Sequence, residues 1–238
     1  MKNIELLSFA TPDDLARAAA SAWLDEIVSA NRAGKTHCVA LSGGRITQKF
    51  FTSTVEHNKT RAVSFANVHF FWADERCVPP TSPDSNFKMA DELLFSPLKI
   101  AAGNIHRLRG EDQPATAVKM AEEEFGRVMS PGADSRPCLD LIFLGMGEDG
   151  HIASLFPNAS AKILDSAASF LVVEDSPKPP PTRISLSYAA IAAARQVWTL
   201  VSGTGKEAAF RESMKPDGQT PLARVIRSRP VKIFSDLP

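Results

Sequence analysis

Cysteine is scarce in this sequence: the 238 residues include only Cys38, Cys77 and Cys138, which are widely spaced. This number and spacing fit no disulfide framework, zinc site or redox motif, so reduced cysteines in a cytoplasmic protein are expected. Long apolar runs are also missing, since no stretch approaches the ~20 residues that a membrane-spanning helix requires. The first residues do not form a signal peptide. The sequence therefore predicts a soluble cytoplasmic protein with no membrane partner.

Net charge is absent as well, because 27 lysines and arginines balance 27 aspartates and glutamates. A nucleic-acid-binding protein that depends on a general basic field is therefore not expected. A zero total still leaves room for a local anion-binding pocket.

The motifs of the common cofactors are incomplete. The turn at 42–45 is not the G-x-G-x-x-G pattern, so a nicotinamide cofactor is unsupported. The segment 202–206 resembles a P-loop, but Leu200 replaces the first glycine and Glu207 replaces the magnesium-binding Ser or Thr. The acidic run 122–124 is interpreted as a solvated helix face, and no metal-ligand cluster is visible. Neither a metal nor a cofactor is expected.

Strands and helices alternate along the chain, which indicates an α/β fold. Thr11 and Pro12, followed by two aspartates, predict the start of the first helix. Strands are predicted at 4–9, 37–41, 68–73, 139–144, 170–173, 196–201 and 231–234, and helices at 12–33, 45–51, 86–95 and 114–128, after 187 and at 222–226. The Pro-rich stretch 177–181 is predicted to be an excursion or a lid. The expected fold is a single doubly wound domain, residues 1–238, with a mostly parallel sheet flanked by helices.

The most informative stretch ends the fourth predicted strand, where three glycines occur within residues 145–150. Glycine permits positive φ and the close approach of a ligand, and open α/β sheets bind ligands at the carboxyl ends of their strands. His151 follows Glu148 and Asp149 here, and histidine is the side chain best suited to proton transfer near neutral pH. His151 is therefore a candidate catalytic base. The alternative is a glycine turn with solvated charges and an incidental histidine.

Three other strand ends carry glycine or charge. The Gly-Gly turn at 42–45 opens a helix, and the free N–H groups of a helix N-terminus bind anions. Arg76 ends the segment 74–76, and its forked guanidinium suits a phosphate. Lys206 begins a further helix and suits a phosphate or a sugar oxygen. All four ends would converge on one cleft in a parallel sheet, although an ordinary Gly-Gly turn and a surface ion pair stay open as alternatives.

Taken in order, these segments resemble the 6-phosphogluconolactonase family, within the wider glucosamine/galactosamine-6-phosphate isomerase superfamily. The G-x-G-x-D-G-H-x-A-S segment is the specific one, and the resemblance extends from about residue 37 to 210. The segments that carry it are Ser42-Gly43-Gly44, Asp74-Glu75-Arg76, Ser85-Asn86, 145–157, Arg183-Ile184-Ser185 and 202–206.

Two positions favour the lactonases over their isomerase relatives. The isomerases usually carry F-N-E-P after G-H-I-A, where this chain has 154–157 as S-L-F-P, and they tend to have an aromatic residue at the position of Arg76. One loop departs from the family pattern S-G-G-S-T-P, because residues 42–47 read S-G-G-R-I-T. The glycines are kept, and a cation, Arg45, replaces a hydroxyl.

The resemblance implies hydrolysis of 6-phospho-D-glucono-1,5-lactone to 6-phospho-D-gluconate in the oxidative pentose phosphate pathway. It implies His151 as the general base that activates water and Asp149 as the residue that orients it, without a metal. The expected partner is the phosphorylated sugar lactone, and a monomer or weak homo-oligomer is expected. The residues expected to bind the substrate or its phosphate are Gly43, Gly44, Arg45, Asp74, Glu75, Arg76, Arg183 and Lys206.

Two rival functions stay open. An isomerase or deaminase acting on an amino-sugar phosphate would use a carboxylate base, for which Asp74 is the candidate, with His151 assisting ring opening. A non-catalytic sugar-phosphate sensor would need an effector module, and the sequence shows neither spare length nor a basic helix-turn-helix.

Overall fold

The computed structural model describes residues 4–129 and 137–237. Six parallel strands form its central sheet, in the order β1-β9-β8-β5-β2-β3. Their bounds are Ile4–Ser8 (β1), His37–Leu41 (β2), Val68–Trp72 (β3), Leu141–Gly145 (β5), Gln196–Val201 (β8) and Val231–Ser235 (β9). All six were predicted from the sequence, and a mostly parallel sheet is confirmed, but the seventh predicted strand, 170–173, does not belong to it.

Helices cover this sheet. They are Pro12–Arg32 (α1), Arg45–Arg61 (α2), Asn86–Ala90 (α3), Ser96–Leu98 (α4), Pro114–Val128 (α5), Ala161–Leu164 (α6), Tyr188–Ala193 (α7), Glu207–Ser213 (α8) and Pro221–Ser228 (α9). Thr11 caps α1 as predicted, because its side chain accepts a hydrogen bond from the Asp14 N–H. The helix predicted at 86–95 is α3 followed by a π-helical turn, Asp91–Phe95.

A second, antiparallel sheet was not predicted. It contains Asp74–Arg76 (β4), Phe170–Val173 (β6) and Arg183–Leu186 (β7), in the order β4-β7-β6. The charged segment that follows β3 is more than a strand end, since it forms a strand of its own that pairs with β7, more than a hundred residues later in the sequence. This sheet brings Arg183 directly opposite Arg76.

The core is rich in aromatic rings and fixes the strands that end at the site. Trp23 of α1 is fully buried and packs within 5.5 Å of Phe50 in α2 and 5.4 Å of Phe143 in β5, between ring centroids. Its indole N–H bonds the ring nitrogen Nε2 of His37 in β2. Helices α1 and α2 are thereby held against the strands whose carboxyl ends carry the glycine turns. Within the two described ranges, every helix is too short or too polar to cross a membrane.

Candidate active site

A pocket of about 130 Å³ lies at the carboxyl edge of the central sheet. The loops after β2, β3, β5 and β8 each contribute to its wall, as the sequence predicted. Eight of the ten predicted site residues line it: Gly43, Gly44, Arg45, Asp74, Arg76, His151, Arg183 and Lys206. The other two do not line the pocket. Asp149 contacts the His151 ring from the side away from the pocket, and Glu75 is buried beneath the pocket residues.

His151 and Asp149 form a hydrogen-bonded pair. The Nδ1 atom of His151 lies 2.5 Å from Asp149 Oδ1, and the backbone N–H of His151 donates to the same oxygen. An Nδ1–H that donates to the carboxylate places the lone pair of the neutral ring on Nε2. Phe156 packs on the ring at 4.7 Å between centroids. The pair therefore has the geometry of a general base with its orienting carboxylate.

Burial favours the neutral form of the imidazole. Burial lowers the pKa of His151 below its ordinary value of 6.5, and the Asp149 carboxylate offsets part of that effect. The side chain is 16% exposed. A base must be unprotonated before it can accept a proton, so a lowered pKa makes His151 competent at neutral pH.

Gly147 is required by this pair. A Cβ atom at this position would lie 2.1 Å from both Nδ1 and Cε1 of His151 and 2.8 Å from Asp149 Oδ1. The sequence identified this glycine as part of a turn, but the structure shows that the absent side chain leaves room for the imidazole.

Gly147→Ala is expected to lower kcat by about tenfold or more, because the ring must move out of line with its carboxylate, and small displacements of catalytic groups are costly. Gly126→Ala is a matched control, since Gly126 lies in α5 and a Cβ there meets nothing within 4 Å. Steady-state kinetics on both variants, with circular dichroism to verify folding, would test this. If Gly147→Ala kept the wild-type kcat, the His151–Asp149 pair would not require a glycine at this position.

Asp74 and Asn86 build the wall opposite the first glycine turn. The Asn86 amide donates to the backbone carbonyl of Asp74 at 2.9 Å, and the Ser154 hydroxyl donates to the Asp74 carboxylate at 2.7 Å. A Cβ at Gly43 would lie 2.0 Å from Asn86 Oδ1. Gly43 is therefore a glycine because the amide side chain packs directly on its backbone.

The positive charge of the pocket is concentrated at the start of α2. Gly44 precedes this helix with φ 109° and offers no side-chain cap, and the first turn holds no acidic residue. Arg45 is the first helical residue and lines the pocket with Lys206, which precedes α8. Burial lowers the pKa of Lys206, and the charge of Arg45 lowers it further. Uncapped N–H groups and two converging cations make this end of the pocket an anion site.

Arg76 and Arg183 are held by backbone carbonyls. Arg76 donates to the Asp84 carbonyl at 2.6 Å. Arg183 is buried, and its guanidinium donates to the carbonyls of Lys178, Pro179 and Pro180 at 3.0, 3.3 and 3.1 Å. Both guanidinium groups line the pocket and also fix the loops that form its rim.

The family follows from comparison with known proteins. The model of the family described as glucosamine-6-phosphate isomerases/6-phosphogluconolactonase matches residues 10–234. The chain belongs to this family. A curated 6-phosphogluconolactonase of Haemophilus influenzae is 36% identical over 174 residues, which are 73% of this chain and 72% of the relative. One of Streptomyces coelicolor is 30% identical over 211 residues, which are 86% and 80% of the two chains.

Solved structures of the 6-phosphogluconolactonase family have the same fold. The Trypanosoma brucei enzyme superposes with a TM-score of 0.82 at 25% identity, covering 97% of this chain and 95% of the other. A monomeric glucosamine-6-phosphate deaminase shares the fold at 17% identity, with a TM-score of 0.79 over 96% of this chain and 95% of the other. The expected family and fold class are both confirmed.

The structure corrects the role expected for Glu75. Its carboxylate is buried below the wall and accepts hydrogen bonds from the N–H groups of Arg76, Asn86 and Phe87 and from the Ser85 hydroxyl. Burial raises its pKa, and these backbone donors partly offset the shift. Glu75 therefore fixes the start of α3 and does not line the substrate pocket.

Some pocket residues were not among the predicted site residues. Asn86, Met146 and Ala153 line the pocket, and Ser154 holds the Asp74 carboxylate. Asn86 had a usable signal, because Ser85-Asn86 is one of the segments that carry the resemblance and Asn86 begins a helix after a Pro-rich loop. The other three lie within the segment 145–157 that carries the family resemblance, but their small or apolar side chains gave no separate sign of a site role.

Proposed function

We propose that this chain hydrolyses 6-phospho-D-glucono-1,5-lactone to 6-phospho-D-gluconate, with His151 as the general base. The family and its curated lactonase relatives support the reaction. The observation that carries the residue assignment is the position of the His151–Asp149 pair on the same small pocket as the uncapped, cationic start of α2. A phosphorylated lactone has an electrophilic carbonyl at one end and a dianion at the other, and the pocket has a complementary group for each.

The phosphate end is assigned to the anion site. Backbone N–H groups at the start of α2 would bind phosphate oxygens, with the side chains of Arg45 and Lys206 neutralising the charge. Arg45 stands where the family pattern has a hydroxyl, so this chain supplies a full positive charge at that position. The substrate carbonyl then faces His151.

The first chemical step is attack by water. Nε2 of His151 takes one proton from a water molecule, and the water oxygen forms a bond with the lactone carbonyl carbon. The carbonyl π electrons move to the carbonyl oxygen, which becomes an oxyanion. Asp149 stabilises the imidazolium through its hydrogen bond to Nδ1.

The second step opens the ring. The oxyanion re-forms the carbonyl, and the bond between the carbonyl carbon and the ring oxygen breaks. The ring oxygen takes the proton from the imidazolium and becomes a hydroxyl group, which restores neutral His151. The new carboxylic acid loses its proton to solvent, so the net reaction consumes one water.

The acid limb of kcat/KM is expected to lie below pH 6.5, the ordinary pKa of histidine, because burial lowers the pKa of His151. The rate should be flat around neutrality and should fall as pH decreases through that lowered pKa. Asp149→Asn removes a charge that raises the pKa, so it should move the limb to still lower pH and lower the plateau. The phosphate of the substrate also titrates at pH ~6. This titration affects wild type and Asp149→Asn equally, so it does not alter the difference between them. If wild type and Asp149→Asn shared an acid limb of kcat/KM above pH 6.5, His151 would not be the general base.

The reaction is tested with freshly generated 6-phosphogluconolactone, after correction for spontaneous opening, and in parallel with glucosamine 6-phosphate. We expect catalysed lactone hydrolysis and no ammonia release. Ammonia release without lactone hydrolysis would favour the deaminase reaction, in which Asp74 would be the base. No catalysis on either substrate would favour a non-catalytic sensor. The expected cytoplasmic location and monomeric or weakly oligomeric state stay predictions.

A further inference from the structure

Asp74 is a buried carboxylate whose protein partners leave part of its hydrogen-bonding capacity unused. The residue is 5% exposed. The Ser154 hydroxyl donates to Oδ2 at 2.7 Å, and the Asn86 amide nitrogen lies 3.4 Å from Oδ1. Among the described residues, no lysine, arginine or histidine nitrogen lies within ion-pair distance of this carboxylate. A carboxylate can accept about four hydrogen bonds, and a buried charge with few partners is unfavourable. The remaining donors must therefore come from what fills the pocket.

The Asp74 carboxylate faces the pocket because of its place in the second sheet. Side chains alternate along a strand, so those of Asp74 and Arg76 in β4 point to one face and that of Glu75 points to the other. Arg183 of β7 stands directly opposite Arg76. The pocket is lined by all three residues of the first face, and Glu75 is not among its lining residues.

Asp74 also lies between the two ends of the site. On one side, the Asn86 amide donates to the backbone carbonyl of Asp74 at 2.9 Å and packs on Gly43, next to the anion site at the start of α2. On the other side, Ser154 is 1% exposed and follows His151 by three residues in the same loop. The carboxylate is thus tied to the loop assigned to the phosphate and to the loop that carries the base.

We propose that Asp74, oriented by Ser154 and Asn86, binds the secondary hydroxyl groups that lie between the carbonyl and the phosphate of the substrate. This inference rests on the proposed lactonase reaction and names what the pocket recognises besides the two ends of that substrate. Sugar hydroxyl groups are neutral donors, and an ionised carboxylate is among the strongest acceptors for them. Ser154 and Asn86 are positioning residues in this arrangement, because they act through Asp74.

The negative charge of Asp74 separates this role from binding of the substrate's anionic groups. A carboxylate repels both the phosphate and the carboxylate of the product, so the middle of the substrate is the part that it can bind favourably. A site built to bond a hydroxyl group discriminates strongly against an analogue that lacks it, because the buried acceptor is then left unpaired. The expected substrates are therefore polyhydroxylated lactone phosphates, and deoxygenated analogues should bind poorly.

The binding test uses calorimetry with two ligands that do not react. One is 6-phosphogluconate, and the other is 6-(phosphonooxy)hexanoate, which has the same chain length, carboxylate and phosphate but no hydroxyl groups. Asp74→Asn is expected to weaken 6-phosphogluconate binding about tenfold, because the hydroxyl groups lose a charged acceptor. The hydroxyl-free ligand should bind this variant at least as tightly as wild type, since a negative charge near two anionic groups is removed. If the substitution changed the affinity for both ligands equally, the proposal would be overturned.

The positioning role is tested with Ser154→Ala, and Ser213→Ala is the matched control. Ser213 is also a fully buried serine, but it does not line the pocket. Ser154→Ala is expected to raise KM about three- to tenfold and to keep kcat within about twofold, because contacts to the hydroxyl groups act in the ground state and the transition state alike. It should also weaken 6-phosphogluconate binding more than binding of the hydroxyl-free ligand, which a merely structural role would not produce. Ser213→Ala should keep the wild-type KM. An unchanged KM in Ser154→Ala would overturn the positioning role.

Failure of the reaction and failure of this inference give different results. A wild type that binds 6-phosphogluconate but does not hydrolyse the lactone would overturn the proposed reaction, and the comparison of the two ligands would still test Asp74. An active wild type whose Asp74→Asn form kept full affinity for 6-phosphogluconate would overturn only the role of Asp74.

Discussion

His151→Gln is expected to lower kcat for lactone hydrolysis by ~10²–10⁴-fold, the range that a positioned general base contributes. The amide is similar in size to imidazole and can bond Asp149, but it cannot accept a proton at neutral pH. Because the base acts in the chemical step, the expected loss lies in kcat, with KM little changed. Stopped-flow or rapid coupled assays are needed, since the lactone opens spontaneously.

His57→Gln is the matched control for this substitution. His57 lies in α2, away from the pocket residues, so this variant should keep wild-type kcat. Asp149→Asn should lose less than His151→Gln, because the imidazole is retained and only its orientation and charge stabilisation are weakened. Retention of wild-type kcat by a folded His151→Gln would move the base to another residue.

Glu75→Ala is expected to destabilise the fold by about 3 kcal/mol, because three backbone N–H groups and one hydroxyl lose a buried acceptor. Those donors belong to the start of α3, so Asn86 would also lose its position beside Asp74. Activity should therefore fall together with stability. Urea denaturation and kcat/KM measured on the same preparation would show both effects.

Two further variants, Glu75→Gln and Glu92→Ala, test whether the loss of stability comes from the loss of a buried hydrogen-bond acceptor. The glutamine keeps the shape and one acceptor oxygen, so it should lose less stability than alanine. Glu92 is exposed and pairs with Lys88 at 3.8 Å, a surface pair worth about 0–1 kcal/mol. Wild-type stability in Glu75→Ala would show that the carboxylate is not a structural acceptor.

Local patterns predicted the central sheet because its inner strands are apolar on both faces. The segments 37–41 and 141–144 are buried throughout, and such runs have few alternatives in an α/β chain. The same logic located the site, since parallel strands end at one edge and Gly43, Lys206 and His151 each follow a strand end.

The second sheet could not be predicted in this way. The segment 74–76 is three residues long and charged, so it carries no apolar period, and its partner 183–186 lies far away in sequence. Glu75 was wrongly expected to bind the substrate for a similar reason. In the sequence, a charged residue at a strand end has the same pattern whether its side chain faces a ligand or caps a helix.

The most direct test of the proposed site is a crystal structure of the wild-type protein with 6-phosphogluconate. The account predicts that the phosphate contacts the start of α2 and Lys206, and that the carboxylate lies within hydrogen-bond distance of His151 Nε2. A product bound in the reverse direction, with its phosphate against His151, would contradict the account.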